Sequence, residues 1–168
     1  MIDQHAAHER IIYEKLGKSF REKRVESQSF LIPYQLELSV REGRKIKEKL
    51  EPLAKLGLVV EHFGGKTFLL RSVPSLLIDA KWDEFMKELI ALLEQENDIF
   101  HERVIDKLLT VMACHGAIRA GMEMTWQEMT RLVEQLHAMA LPTHCPHGRP
   151  IFKTFTYQEL ARMFRRST

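Results

Sequence analysis

Cysteine is scarce in this chain, and that excludes a fold stapled by disulfides: only Cys114 and Cys145 occur in 168 residues, where such scaffolds use several pairs. A single bridge stays open, but each thiol stands close to a histidine in sequence, company that suits thiolate chemistry. Long apolar runs are missing as well. No stretch approaches the roughly 18 residues a membrane helix needs, and the front lacks a basic-then-apolar secretion pattern, so no membrane association and a cytoplasmic location are expected. A strong net charge is the third absence: 25 Lys and Arg against 23 Asp and Glu leave +2. No global positive field draws this domain to nucleic acid, where contacts with several phosphates supply much of the affinity. If the chain acts on DNA, its own grip is weak and something else holds the substrate. Basic clusters do occur at Lys15, Lys18, Arg21, Lys23 and Arg24 and again at Arg162, Arg165 and Arg166, but charge runs of this kind commonly make a solvated helix face.

What is present is an ordinary globular composition, 45% hydrophobic and 29% charged, without repeats or low-complexity tracts, and enough chain for one domain or two small lobes. From Gln4 to about Arg24, Ile11, Ile12, Leu16 and Phe20 recur at helical spacing behind Asp3 as N-cap, with Gly17 the weak interior position. "SQSFLIPYQLELSV" reads as extended chain in which Pro33 marks an edge or a bend. "REGRKIKEKLEPLAKLG" is a lysine-rich helix interrupted at Pro52 and stopped by Gly57, and "LVVEHFGGKTFLLRSVP" is a hairpin turning on Gly64 and Gly65. These make a small βαββ lobe. Three helices follow, in "DAKWDEFMKELIALLEQE", "HERVIDKLLTVMACHGAIRAG" and "TWQEMTRLVEQLHAMA", the last opened by the capping pair Thr125 and Glu128. "LPTHCPHGRPIF" is too rich in Pro, His and Gly to be regular, and a short helix follows Thr156. The expected fold class is mixed α/β (α+β).

Three stretches carry chemistry. In "DQHAAHER", His5 and Glu9 lie four apart, so a helix beginning at Asp3 sets both on one face, where they can grip one ion or simply form a surface ion pair. His8 lies off that face. The zinc-protease pattern H-E-x-x-H fails, because position 12 is isoleucine, and the zinc-deaminase pattern fails for want of C-x-x-C. In "CPHGRP", Cys145 and His147 are two apart, so an extended segment points both the same way, with Gly148 permitting a tight turn and Arg149 supplying a cation. Thiolate and imidazole suit zinc or a similar divalent ion, and a buried thiol beside a loop histidine is the equal alternative. In "ACHGAIRAG", Cys114 and His115 stand near a helix end, where a lone cysteine is more often core than ligand.

The combination resembles a known one. "DQHAAHERIIYE" matches D-Q-H-A-x-x-E-x-x-x-x-E, a motif of the endonuclease type of the C-terminal domain of MutL-family mismatch-repair proteins, with Asp3, Gln4, His5, Ala6, Glu9 and Glu14 in every fixed place. "ACHGAIRAG" stands where that family has its A-C-R-type motif, with His115 in place of the common arginine or lysine, and "CPHGRP" matches C-P-H-x-R-P. "QSFLIP" is similar to the Q-x-h-h-x-P peptide of sliding β-clamp binders, with Gln28, Phe30, Leu31 and Pro33 in place; the same residues suit the core of an edge strand.

The resemblance implies a homodimeric two-lobed domain: residues 1–36 and 108–168 as a dimerisation lobe and 37–107 as an external regulatory lobe. It implies that Asp3, His5, Glu9, Cys114, Cys145 and His147 surround one or two divalent ions, Mn2+ for catalysis and Zn2+ in a structural or regulatory role. Gln4, Glu14 and His115 then support the site; Glu14 is turned about 140° from Glu9 on an ideal helix and is not expected to ligate. The implied activity is latent, metal-dependent nicking of DNA in mismatch repair, carried by Asp3, His5, Glu9 and Arg149. Implied partners are a second copy, DNA, the sliding clamp and an N-terminal ATPase domain of the same protein; no ATP is expected here, and the location is cytoplasmic at the nucleoid. Met1 abuts the motif where the family has an apolar strand, as expected of a piece excised with a start residue added. The alternative is a non-catalytic dimerisation module with structural zinc, less suited to hard ligands such as Asp3 and Glu9.

Overall fold

The computed structural model describes residues 1–95, 102–118 and 122–165; the expectations placed on Glu96, His101, residues 119–121 and Arg166 lie outside them. In chain order the elements are α1 (Gln4–Arg21), β1 (Ser27–Glu37), α2 (Val40–Glu48), α3 (Leu50–Lys55), β2 (Val59–Gly64), β3 (Thr67–Pro74), a single 3-10 turn (Ser75–Leu77), α4 (Trp82–Gln95), α5 (Glu102–Gly116), α6 (Trp126–Ala138) and α7 (Tyr157–Met163). Helices with a small antiparallel sheet make this a mixed α/β fold of the α+β kind. By packing, the chain forms two compact units, Met1–Ile11 with Ile118–Thr168, and Ile12–Ala117.

In the unit Ile12–Ala117 the sheet has the order β1-β3-β2, with every pairing antiparallel. Central β3 buries Phe68, Leu70 and Val73 against Ile46 of α2, Leu53 of α3, Phe85 and Leu89 of α4, and Leu108 and Met112 of α5. The helix break comes at Lys49 rather than at Pro52 itself. Proline lacks the N–H that would bond the carbonyl four residues back, at Glu48, and its ring clashes there. α2 is started by Ser39, whose side chain accepts from the Glu42 amide in a full capping box. Gly57 sits at φ +83, where an added Cβ would also come within 2.6 Å of Ser27 Oγ, so this stop requires glycine. α1 ends at Arg21 instead of near Arg24, because Lys23 takes a left-handed φ of 55 and Arg24 bonds back to the Ser19 carbonyl. β1 and α5 pack in this unit, the first by its ladder to β3 and the second by its apolar face. The compact unit therefore reaches beyond the expected 37–107 on both sides.

Pro33 does mark an irregular edge. β1 pairs Ser29 with Ser72 and next Tyr34 with Leu70, so residues 30–33 bulge opposite Arg71. Leu31 and Ile32 on this bulge are 99% and 82% exposed. Phe30 turns the other way, edge-on to Trp82 at 5.6 Å between ring centres. The expected pair of exposed anchors, Phe30 and Leu31, is thus corrected: Phe30 is a packing residue, and Ile32 takes the exposed place beside Leu31.

The other unit is built from the first turns of α1, from α6, and from the chain around "CPHGRP". Ala6, Ala7, Ile11, Leu132, Leu136, Cys145 and Ile151 form its buried cluster. The front of the chain lies antiparallel to residues 151–153: Asp3 N–H donates to the Ile151 carbonyl, and Lys153 N–H to that of Met1, each bond 2.9–3.0 Å long. α6 carries the expected capping box of Thr125 and Glu128, and α7 repeats it with Thr156 and Glu159.

Candidate metal centre

Within that second unit, α1 begins because Asp3 caps it: Asp3 Oδ1 accepts from the amides of His5 and Ala6, both at 3.0 Å. Helical rise then places His5 and Glu9 side by side, with His5 Nε2 at 3.2 Å from Glu9 Oε1. The small side chains of Ala6 and Ala7, fully buried, leave room for Cys145 and Ile151 in the same cluster.

The segment bearing Cys145 and His147 is a hairpin tip. His144 bridges Pro150, Cys145 N–H donates to the Arg149 carbonyl, and Gly148 N–H donates to the Cys145 carbonyl. Pro146 takes the second place of this turn and Gly148 the left-handed one, at φ +79. The extended geometry expected for Cys145 and His147 is therefore replaced by a turn, because the Gly148 to Cys145 bond closes a loop that an extended segment cannot close. His147 Nδ1 comes to 3.3 Å from Glu9 Oε2. The Cys145 thiol is hydrogen-bonded to the same carboxylate, and the backbone N–H groups of Arg149 and His147 face its sulfur.

Glu9 is thus the hub, a carboxylate only 1% exposed with an imidazole on each oxygen and a thiol beside them. A charged group so deeply buried is costly unless paired. Burial pushes the Cys145 thiol above its ordinary range, and the neighbouring Glu9 carboxylate pushes the same way, against the two backbone N–H groups. A divalent ion reverses that balance, because a coordinating thiol is held deprotonated.

The donor set fits such an ion in a further respect. The Ile118 carbonyl lies 2.7 Å from His5 Nδ1, and since a carbonyl only accepts, that nitrogen carries the hydrogen. Nε2 is left with its lone pair on the Glu9 side, the arrangement usual for a metal-binding histidine. Oxygen, nitrogen and sulfur donors together suit zinc or manganese.

The remaining candidates are distributed as follows. The described bonds of the exposed Asp3 side chain are its capping bonds. Gln4 Nε2 donates to the Met122 carbonyl at 2.7 Å. Arg149 is exposed, and no ion pair joins it to Glu9 among the described residues. Cys114, half-buried on α5, and Glu14 belong to the unit Ile12–Ala117. So does His115, whose Nε2 meets Glu88 Oε2 at 2.8 Å while its ring stands edge-on to Phe85. His8, set aside by the sequence reading, accepts the Ile118 N–H at Nδ1 over 2.9 Å. Its partner is backbone 110 positions away, so no side-chain pattern announced it.

Residues 1–124 match the family described as MutL C terminal dimerisation domain. The chain is 39% identical to the DNA mismatch repair protein MutL of Geotalea uraniireducens over 170 aligned positions, covering 99% of this chain and 28% of that protein. It is 38% identical to the protein of the same description from Pelotomaculum thermopropionicum, over 99% of this chain and 27% of the relative. With that of Citrifermentans bemidjiense the identity is 37%, over 99% and 26%. The chain spans little more than a quarter of the length of these curated relatives.

Proposed function

Because the chain belongs to the family of the MutL C-terminal dimerisation domain, we propose that it is a homodimerising, metal-dependent DNA-nicking domain that acts in DNA mismatch repair. The observation that carries this reading is the Glu9 hub, where a buried carboxylate, two imidazoles and a thiol converge. His5 through Nε2, Glu9, Cys145 and His147 hold the ion, Zn2+ or Mn2+; the resemblance adds Cys114 from the other unit. A bound divalent ion supplies an activated water and offsets charge on the phosphodiester. Asp3, a hard carboxylate two residues before His5, completes the site on its exposed side. Arg149, with an exposed guanidinium on the same turn as His147, meets phosphate charge. Gln4 steadies the helix start through Met122.

The exposed Trp126 of α6 and Tyr157 and Phe164 at α7 support a second copy as partner, since large apolar groups in water favour an interface. Exposed Leu31 and Ile32 support sliding-clamp binding. With a net charge of +2, DNA is held weakly by this domain alone, and the rest of the full-length protein, its ATPase domain included, supplies the remaining grip at the nucleoid. No described helix is long and apolar enough to cross a membrane. The test is nicking of supercoiled plasmid with manganese, which Asp3→Asn abolishes; undiminished nicking overturns the catalytic reading.

A second reading, dimerisation with a purely structural zinc, is favoured by one feature, the buried Cys145 sulfur facing two backbone N–H groups. Under it, Asp3→Asn leaves function intact and Cys145→Ser loosens the fold.

A further inference from the structure

His8 is the histidine that the metal reading leaves without a task, yet its bond to Ile118 joins a pattern. His5 and His8 are three apart and so stand on adjacent positions of one helical turn. His5 Nδ1 donates to the Ile118 carbonyl at 2.7 Å, and His8 Nδ1 accepts the Ile118 N–H at 2.9 Å. Both polar backbone groups of one residue are therefore held by side chains from a single turn of α1. Four residues on, the Met122 carbonyl receives Gln4 Nε2 at 2.7 Å. The first turns of α1 thus clip the chain at Ile118 and Met122 across their own face.

We propose that His8 is a positioning residue for the metal centre: by accepting the Ile118 N–H it fixes Ile118 so that the carbonyl of that residue locks His5 with Nδ1 protonated and Nε2 turned to the ion. The inference rests on the metal reading above. The two bonds require opposite tautomers of the two histidines. A donated backbone N–H needs a bare Nδ1 on His8, and an accepting carbonyl needs a hydrogen on Nδ1 of His5. Partners that orient a ligand histidine in this way govern metal affinity, with losses of roughly 10- to 100-fold when they are removed. A merely structural His8 would satisfy one amide and leave the protonation pattern of His5 unchanged.

The test uses the full 168-residue chain and two readouts: Zn2+ affinity by competition titration, and the ring-nitrogen NMR signals that report each tautomer in metal-free protein. In the parent, His8 should carry its hydrogen on Nε2 and His5 on Nδ1; the reverse in either overturns the proposal whatever the variants do. His8→Phe removes the acceptor at similar bulk and should weaken Zn2+ binding roughly 10- to 100-fold while His5 becomes a tautomer mixture. His8→Asn, whose Oδ1 takes the place of Nδ1, should restore both. Unchanged affinity and a pure His5 tautomer in His8→Phe refute the positioning role, as does a folded His8→Asn that rescues neither. The metal reading fails separately, when His5→Ala and Glu9→Gln bind Zn2+ as the parent does. The His5 tautomer of metal-free protein still judges His8 in that event.

Discussion

Glu9 and His147, 138 positions apart in the chain, meet with Oε2 at 3.3 Å from Nδ1. The closed turn at residues 145–149 brings the histidine there, and a helix cap fixes where the glutamate rises. Both halves of the site therefore depend on local structure that mutations can disturb separately.

Asp3 combines a cap with a charge, and two substitutions separate them. Asparagine caps a helix about as well as aspartate, while alanine costs about 1 kcal/mol. Asp3→Asn should melt at the parent temperature and fail to nick plasmid with manganese; Asp3→Ala should fail to nick and melt lower. Equal melting of the two variants, followed by calorimetry, speaks against the capping role.

Ala7 is fully buried in the cluster that contains Cys145. Ala7→Leu should destabilise the domain by about 1–3 kcal/mol through overpacking and weaken metal binding without touching a ligand. Chemical denaturation gives the first quantity and Zn2+ titration the second.

The bulge on β1 separates binding from packing. Leu31→Asp with Ile32→Asp should abolish sliding-clamp capture and leave the melting temperature near that of the parent, since both side chains are exposed. Phe30→Ala should lower the melting temperature, because its ring packs on Trp82. Clamp binding that survives both the Leu31 and Ile32 replacements and Gln28→Ala with Pro33→Ala excludes the motif.

Acid should loosen the helix starts. Glu42, Glu128 and Glu159 are held below the ordinary carboxylate range by bonds from Ser39, Thr125 and Thr156 respectively. A lowered folded-state value means a contribution present in full above the unfolded value near 4.5 and lost as pH falls through the folded one. Glu128→Gln should flatten the acid limb of the stability curve measured by urea melts from neutral pH downward, and leave the neutral limb in place.

Much of this architecture is legible in the sequence where the controlling physics is local. Asp3, Ser39, Thr125 and Thr156 start helices through bonds to amides two or three residues on, and Pro52 ends α2 by what it cannot offer Glu48. Pro33 announces an irregular strand. What it cannot announce is the direction of Phe30, which depends on Trp82 about 50 positions away. The site divides in the same way. Helical spacing pairs His5 with Glu9, but the closed turn at Cys145 and the bond from Ile118 to His8 arise from backbone groups, which every residue has and no motif displays. The packing boundary at Ile12 falls inside α1, where helix propensity is continuous and gives no signal.

The central claim is that the Glu9 hub binds a divalent ion, and Zn2+ titration of the parent beside Glu9→Gln tests it most directly. The substitution keeps shape and burial and removes the charge. The expected result is stoichiometric binding by the parent and a loss of roughly tenfold or more in affinity for Glu9→Gln. Equal affinities, or a parent that binds no ion at all, would contradict it.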